Sequence, residues 1–236
     1  MSEWKAKRFW KDVTVNELAE GFSVQLDSRV VKTPLKRVLM VPTTGLAEAI
    51  AAEWHSVEEE IDPSRMPFTR SANAAIDKVA DQFDEVAALL SAYGDSDLLC
   101  YRADGPEGLV ARQAENWDPI LAWASQVLGT KLETRVGIMH RAQDAGALEK
   151  LDEAVKKHST FELTAFHDLV SLSGSLILAF AVIHGRILPE QAWGLSRIDE
   201  EWQIEQWGED EEAQEHAALK RESFLHAARF FALSKR

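Results

Sequence analysis

The chain has 236 residues, of which 46% are apolar, so it can form one large domain or two small ones with a buried core. Its 39 acidic residues outnumber 26 basic ones, and the net charge of −13 argues against binding nucleic acid or an anionic membrane. A single cysteine, Cys100, excludes an intramolecular disulfide and a zinc site with several thiolates, and it fits a reducing compartment.

The first part of the chain has the alternating pattern of β-strands. Phe22, Val24 and Leu26 share one face of the segment GFSVQL, and the two residues after it predict a turn into a further strand. The segments RFW, VTV and RVLMVP predict more strands. A helix capped by Thr43 or Thr44 follows, and the two prolines of IDPSRMPFTR indicate a domain joint.

Beyond this joint the chain has helical periodicity almost throughout. SANAAIDKVADQFDEVAALLSAYG predicts one long helix that ends at Gly94, and a later helix should kink or break at Pro119. The apolar stretch from Leu163 to Ile183 contains His167, Asp168 and serines, so it predicts a buried core helix and not a membrane span. A helix starting at Pro189 and a last one from about Glu209 to Phe231 complete the pattern.

These elements predict an α+β fold with two domains. A small β-containing α/β domain is expected over residues 1–68, and a mainly α-helical bundle over residues 69–236.

The common catalytic and nucleotide-binding motifs are absent from the sequence. It has neither a glycine-rich phosphate loop nor a nucleophile elbow, and the serines of SLSGSL favour close helix packing or hydrogen bonds to the preceding turn. The pairs Glu212–His216 and Glu222–His226 offer two metal ligands each, whereas a metal site needs three or four. We therefore predict no catalytic residue, no metal and no cofactor.

Asp95 and Asp97 leave one enzymatic alternative open. With His167 they could serve a hydrolase of an unrecognised class, which would need a deep polar pocket that gathers all three side chains. The favoured interpretation is that both aspartates are turn residues after a glycine that ends a helix. Cys100, between two large apolar residues, is interpreted as a small buried residue and not as a nucleophile.

The run EEWQIEQWGEDEEAQEH places two tryptophans among many acids, and no lysine or arginine occurs from Ile198 to Leu219. Trp202 shares a helical stripe with Leu195 and Ile198, which predicts a core position. Trp207 lies about 140° from Trp202 around a helix. Either Trp207 packs on a neighbouring helix while the acids coat a solvated face, or it is a partly exposed anchor for a basic partner.

Seven segments between Arg8 and Ala213 together carry a family resemblance: RFWKDVTV, GFSVQLDSRVVKTP, LAEAIAAEWHS, IDPSRMPFTRSANAAID, SDLLCYRA, NWDPILAWA and RIDEEWQIEQWGEDEEA. In this order and spacing they resemble the assembly chaperone of the ATP synthase catalytic sector, the family that escorts the α subunit in mitochondria and some bacteria. The joint presence of KTP, of MPFTR followed by AID, and of QIE before WG makes the resemblance specific.

The resemblance implies a non-enzymatic chaperone that binds the unassembled α subunit and masks the surface that later meets the β subunit. It implies no nucleotide, and a small β-containing domain followed by an orthogonal helical bundle. The absence of a transit peptide fits a bacterial, cytoplasmic member, with the mitochondrial matrix for eukaryotic relatives. A helical scaffold protein with another basic partner remains the alternative.

The QIE and WG motifs also imply where the client binds. They correspond to Gln203, Ile204, Glu205, Trp207 and Gly208 in this sequence. Client contact is expected at Gln203, Glu205, Trp207, Glu209 and Asp210, and Trp54 and Asn73 are expected to support the domain joint.

Overall fold

The computed structural model describes residues 7–235. The strands are β1 (Val13–Leu18), β2 (Gly21–Leu26), β3 (Arg29–Val30), β4 (Met40–Val41), β5 (Tyr101–Arg102) and β6 (Arg135–Val136). The α-helices are α1 (Thr44–His55), α2 (Pro67–Ala74), α3 (Phe83–Ser91), α4 (Glu107–Val127), α5 (Ala145–Val155), α6 (Thr160–Ser173), α7 (Leu176–Ile183), α8 (Pro189–Leu195), α9 (Ile198–Trp207) and α10 (Glu211–Ser234). The α+β fold class is confirmed, with the larger sheet near the N-terminus and helices dominating the rest.

The chain forms two compact units. The first contains the chain up to Phe83, Ser159–Ala165 and the chain from Arg229 onward, and the second contains Asp84–His158 and Phe166–Ala228. The expected boundary after residue 68 falls inside α2, within the first unit.

The first unit contains an antiparallel sheet in which β2 is the central strand. β2 pairs with β1 from Val13↔Leu26 to Leu18↔Gly21, and it also pairs with β3 and β4. Val24 and Leu26 are buried as their alternation predicts, but Ser23, which precedes Val24 and points to the opposite face, is buried too, so both faces of β2 are covered. The strand predicted at RFW does not form: Lys7 makes an isolated antiparallel bridge with Glu60, and the backbone N of Arg8 donates to the carbonyl of Glu59 at 2.8 Å.

The single helix predicted to run up to Gly94 is interrupted in the structure. A π-helical turn over Ala75–Val79 and a non-helical turn separate α2 from α3. In the π-helical turn the carbonyl oxygen of Ile76 accepts a hydrogen bond from Arg37 at 2.6 Å, and the same guanidinium pairs with Asp81 at 2.6 Å. Hydrogen bonds from a segment some forty residues away thus replace helical ones, which periodicity along the chain cannot reveal.

The apolar stretch from Leu163 to Ile183 is buried as predicted, but it forms two helices. α6 ends at Ser173, Gly174 adopts φ +70°, and Ser175 begins α7 by accepting a hydrogen bond from the backbone N of Leu178 at 2.9 Å. The prediction that the SLSGSL serines bond back to the preceding turn is confirmed at Ser173, whose hydroxyl donates to the carbonyl of Leu169. No helix among residues 7–235 is both long and apolar enough to cross a membrane.

Other helix signals mark their positions correctly. Pro189 is the first residue of α8, and α10 covers most of the region predicted for the last helix. The break considered at Pro119 does not form, since α4 is one helix of 21 residues that contains this proline. Within this helical part, Tyr101–Arg102 and Arg135–Val136 pair as the parallel strands β5 and β6.

Candidate functional site

The acidic run of the sequence forms the end of α9, a turn at Gly208 and the start of α10. Gly208 has φ +89°, a left-handed conformation that a residue with a Cβ rarely adopts, and its backbone N–H donates to the carbonyl of Ile204. Asp210 then caps α10, because its carboxylate accepts from the backbone N of Ala213 at 2.8 Å. The glycine and the cap together reverse the chain between the two helices.

An open groove of about 500 Å³ lies between these two helices. Trp207 stands at its edge with 80% of its surface exposed, and Ile204 is half-buried. The first alternative for Trp207, packing on a neighbouring helix, is therefore wrong, because the ring lies outside the core. Trp207 is one of the most exposed large apolar side chains among the described residues, as expected of an interface anchor. The groove is lined by Arg197, Glu200, Glu201, Gln203, Ile204, Trp207, Gly208, Glu209, Asp210, Ala213, Gln214 and Ala217.

The groove is electrostatically negative. Four carboxylates line it, those of Glu200, Glu201, Glu209 and Asp210, against the single guanidinium of Arg197. That guanidinium is already engaged, since it lies 3.4 Å from a carboxylate oxygen of Glu200 and 5.7 Å from the ring centre of Trp193. A partner group that carries positive charge would be attracted here, and an acidic one repelled.

Glu205 is engaged elsewhere, in what we call the Arg112 clamp, formed by Arg112, Trp202 and Glu205. Its two carboxylate oxygens accept hydrogen bonds from the Arg112 guanidinium at 2.7 and 2.8 Å. These bonds lower the pKa of Glu205 and raise that of Arg112. Because the pair is intramolecular and Glu205 does not line the groove, the structure gives this residue a role in joining α9 to α4.

Trp202 is half-buried within the same clamp. The Arg112 guanidinium lies 4.8 Å from its ring centre, a cation–π contact. Its other close neighbour is Gly108, where an added Cβ would come within 2.7 Å of the indole Cη2. The sequence predicted that Trp202 lies in the core. Its ring is instead half-buried against α4, where Gly108 leaves room for it.

The groove contains most of the site residues expected from the sequence. Gln203, Trp207, Glu209 and Asp210 line it, and Glu205 lies outside it. The lining residues Glu200 and Ile204 were missed, although helical spacing could have found them, since steps of three and four connect them to Trp207.

The residues expected at the domain joint lie in the first unit. Trp54 is half-buried at the end of α1, with its ring edge-on to Trp10 at 5.3 Å between centroids. Asn73 is half-buried in α2. The start of α2 is held by Glu53, whose carboxylate accepts from the backbone N of Phe68 and Thr69.

The polar pocket that the hydrolase alternative required does not form among residues 7–235. Asp97 is fully buried and accepts hydrogen bonds from the backbone N of Leu99 and Ile177 and from the Ser175 hydroxyl. Its burial raises its pKa to about 6. Asp95 instead accepts from the backbone N of Gln143, and the His167 ring pairs with its neighbour in sequence. The interpretation of the two aspartates as turn residues holds only in part: Asp97 does begin a short 3-10 turn, but its full burial and its bonds with Ser175 and Ile177 were not expected.

Cys100 is fully buried, as its apolar neighbours in the sequence predict, and burial raises its pKa to about 12. A thiol held neutral in this way is a poor nucleophile. Among residues 7–235, no group of three or more His, Cys, Asp or Glu side chains is arranged to hold a metal ion.

Known proteins resemble this chain over nearly all of its length. The model of the ATP12 chaperone protein family matches residues 7–125. The mitochondrial protein atp12 of Schizosaccharomyces pombe is 30% identical over 223 residues, which cover 89% of this chain and 76% of the yeast protein. The crystal structure of Atp12 from Paracoccus denitrificans has a TM-score of 0.96 and 52% identity, covering 99% of this chain and 100% of that one. A crystal structure from Agrobacterium tumefaciens has a TM-score of 0.91 and 43% identity, covering 97% and 85%. The chain therefore belongs to the ATP12 chaperone protein family.

Proposed function

We propose that this chain is an ATP synthase assembly chaperone that binds the unassembled α subunit and masks its β-facing surface until the catalytic sector assembles. The client contacts the groove between α9 and α10. Family membership supports the chaperone role, and the observation that carries the binding site is the 80% exposure of Trp207 beside four groove carboxylates.

The chemistry of the groove defines the kind of client segment that fits. An apolar side chain would pack against Trp207 and Ile204, and a lysine or arginine beside it would meet the carboxylates of Glu209 and its neighbours. Burying an indole against a partner typically contributes about 2 kcal/mol or more to binding. The exposed carboxylates add mainly to the association rate and to the choice of partner, because water screens them.

Replacement of Trp207 by alanine tests the anchor. We expect Trp207→Ala to weaken binding of the purified α subunit by about tenfold or more, because the largest apolar contact of the groove is lost. Leu219→Ala is the matched control: Leu219 is 69% exposed on α10 and does not line the groove. Titration calorimetry with the α subunit of the same organism measures both variants.

Charge reversal at Glu209 tests the electrostatic contribution to client binding. Glu209→Lys should slow association severalfold at low salt, whereas Glu153→Lys, on the exposed side of α5, should leave the rate unchanged. If the folded wild-type chain fails to bind folded α subunit, the proposal is wrong. Capture of a different basic protein through Trp207 would instead favour the helical scaffold.

We further propose that the chain works in the bacterial cytoplasm, as a binding protein without a catalytic step. The similarity to the two bacterial structures, 52% and 43% identity, exceeds the 30% identity to the mitochondrial yeast protein. Fractionation of the native host tests the location, and a membrane-bound or periplasmic pool would contradict it.

A further inference from the structure

Two faces of α9 make different contacts. On one face Trp202 and Glu205 contact α4. Ile204 and Trp207, each two positions further along the chain, line the groove. Two positions correspond to about 200° around an α-helix, so the face that is attached to α4 is nearly opposite the face that is offered to a client.

Arg112 on α4 makes two separate contacts with the attached face. Its guanidinium donates to both carboxylate oxygens of Glu205, at 2.7 and 2.8 Å, and lies 4.8 Å from the ring centre of Trp202. Apart from Glu205, no side chain of residues 202–207 makes a hydrogen bond or an ion pair with another helix in the described part of the chain. The Arg112 clamp therefore holds the last turn of α9, which carries Trp207.

The start of α9 has its own attachment to α4. The side-chain amide of Gln113 donates to the carboxylate of Asp199 at 2.6 Å. Because Asp199 lies two turns before Trp207, this bond fixes the beginning of the helix and leaves the position of its end to the clamp.

The clamp is suited to orienting the helix more than to stabilising the fold. The side chains of Arg112 and Glu205 are 34% and 49% exposed, and ion pairs at that exposure contribute little to stability because water screens them. A planar guanidinium that forms two parallel hydrogen bonds and also stacks on a ring fixes direction as well as distance. A lysine ammonium in its place would keep the charge and lose this geometry.

We propose that Arg112 is a positioning residue for client binding: it holds the last turn of α9 on α4 and thereby presents Trp207 at the edge of the groove. The inference rests on the proposed function and deepens it, because Arg112 does not line the groove and acts through Trp207. An anchor that is already held in its binding position loses less conformational entropy on binding, which favours affinity.

Replacement of Arg112 by lysine tests the orienting geometry at constant charge. We expect Arg112→Lys to weaken binding of the purified α subunit by about threefold, while the melting temperature falls by no more than about 2 °C. Arg37→Lys is the matched control: Arg37 pairs with Asp81 at 2.6 Å, and their side chains are 42% and 56% exposed. It should leave client binding unchanged. Titration calorimetry and thermal melting measure both variants.

Two double variants test whether Arg112 acts through Trp207. In a chain that already carries Trp207→Ala, Arg112→Lys should cause no further loss of affinity, because the side chain that the clamp positions is gone. Arg112→Glu and Glu205→Arg should each weaken binding, and the two together, which restore an ion pair across the same helices, should recover most of the wild-type affinity. A role in stability alone would not produce this pattern.

The outcomes separate this inference from the function on which it rests. If the folded wild type does not bind the α subunit, both fail. If Trp207→Ala weakens binding and Arg112→Lys binds like the wild type, the groove stands and the positioning role is overturned. Independent losses of affinity from Arg112→Lys and Trp207→Ala would mean that Arg112 contacts the client directly, which also overturns it. So would a charge-swapped chain that melts like the wild type and binds as weakly as the single variants.

Discussion

Carboxylates occupy two very different environments in the second unit of this chain. Asp97 is fully buried and accepts hydrogen bonds from Leu99, two positions along the chain, and from Ser175 and Ile177 at the start of α7. The carboxylates of the groove are exposed, and the ring beside them is exposed as well. The buried carboxylate therefore stabilises the fold, whereas the exposed ones are available to a partner. The two roles differ because the first group is buried and hydrogen-bonded within the chain and the others are in contact with solvent.

Removal of the buried carboxylate should have the largest effect on stability. We expect Asp97→Ala to lower the free energy of unfolding by about 3 kcal/mol, because the N–H groups of Leu99 and Ile177 would be left unpaired in the core. Urea unfolding at pH 7 measures this. Glu209→Ala is the control from the groove and should change stability by less than about 0.5 kcal/mol. Equal losses of unfolding free energy in both variants would contradict the distinction between the buried and the exposed carboxylates.

The pH dependence of stability should report the same burial. The pKa of Asp97 is raised from 3.8 to about 6 in the folded chain, so the folded state binds the proton more tightly than the unfolded state. The proton-linked part of its contribution is fully present below about pH 4 and is lost as pH rises through about 6, by up to about 3 kcal/mol, whereas the hydrogen bonds with Leu99 and Ile177 remain at pH 7. The wild type should show this decline relative to Asp97→Ala in urea unfolding at a series of pH values. If the stabilities of the wild type and Asp97→Ala change in parallel with pH, folding does not raise the pKa of Asp97.

The Arg112 clamp lies between the buried and the exposed environment, and its disruption should affect stability less than the loss of Asp97. Glu205→Lys would exchange a hydrogen-bonded pair for two like charges, so we expect the melting temperature to fall by about 2 °C. Client affinity should change less than in Trp207→Ala, because Glu205 does not line the groove. Calorimetric melting and the same α-subunit titration measure both effects. A loss of affinity that matches Trp207→Ala at unchanged stability would return Glu205 to the binding surface.

The sequence made some parts of this structure predictable because their causes are local. The alternation in β2 and the position of Pro189 at the start of α8 depend on residues within a few positions of one another. The acidic run likewise pointed to Trp207 and its neighbours before any coordinates. The interruption after α2 was missed because its cause, Arg37, lies about forty positions earlier in the chain.

By itself the sequence determined the fold class, the family resemblance and the region of the candidate groove, since composition, periodicity and motif order are properties of neighbouring residues. Only the tertiary structure decided which acids are free to meet a partner. Glu205 and Glu209 look alike in the acidic run, but Arg112, 93 positions before Glu205, pairs with Glu205, and Glu209 lines the groove. An ion pair between distant segments depends on how helices pack, and packing is the one cause that no local pattern contains.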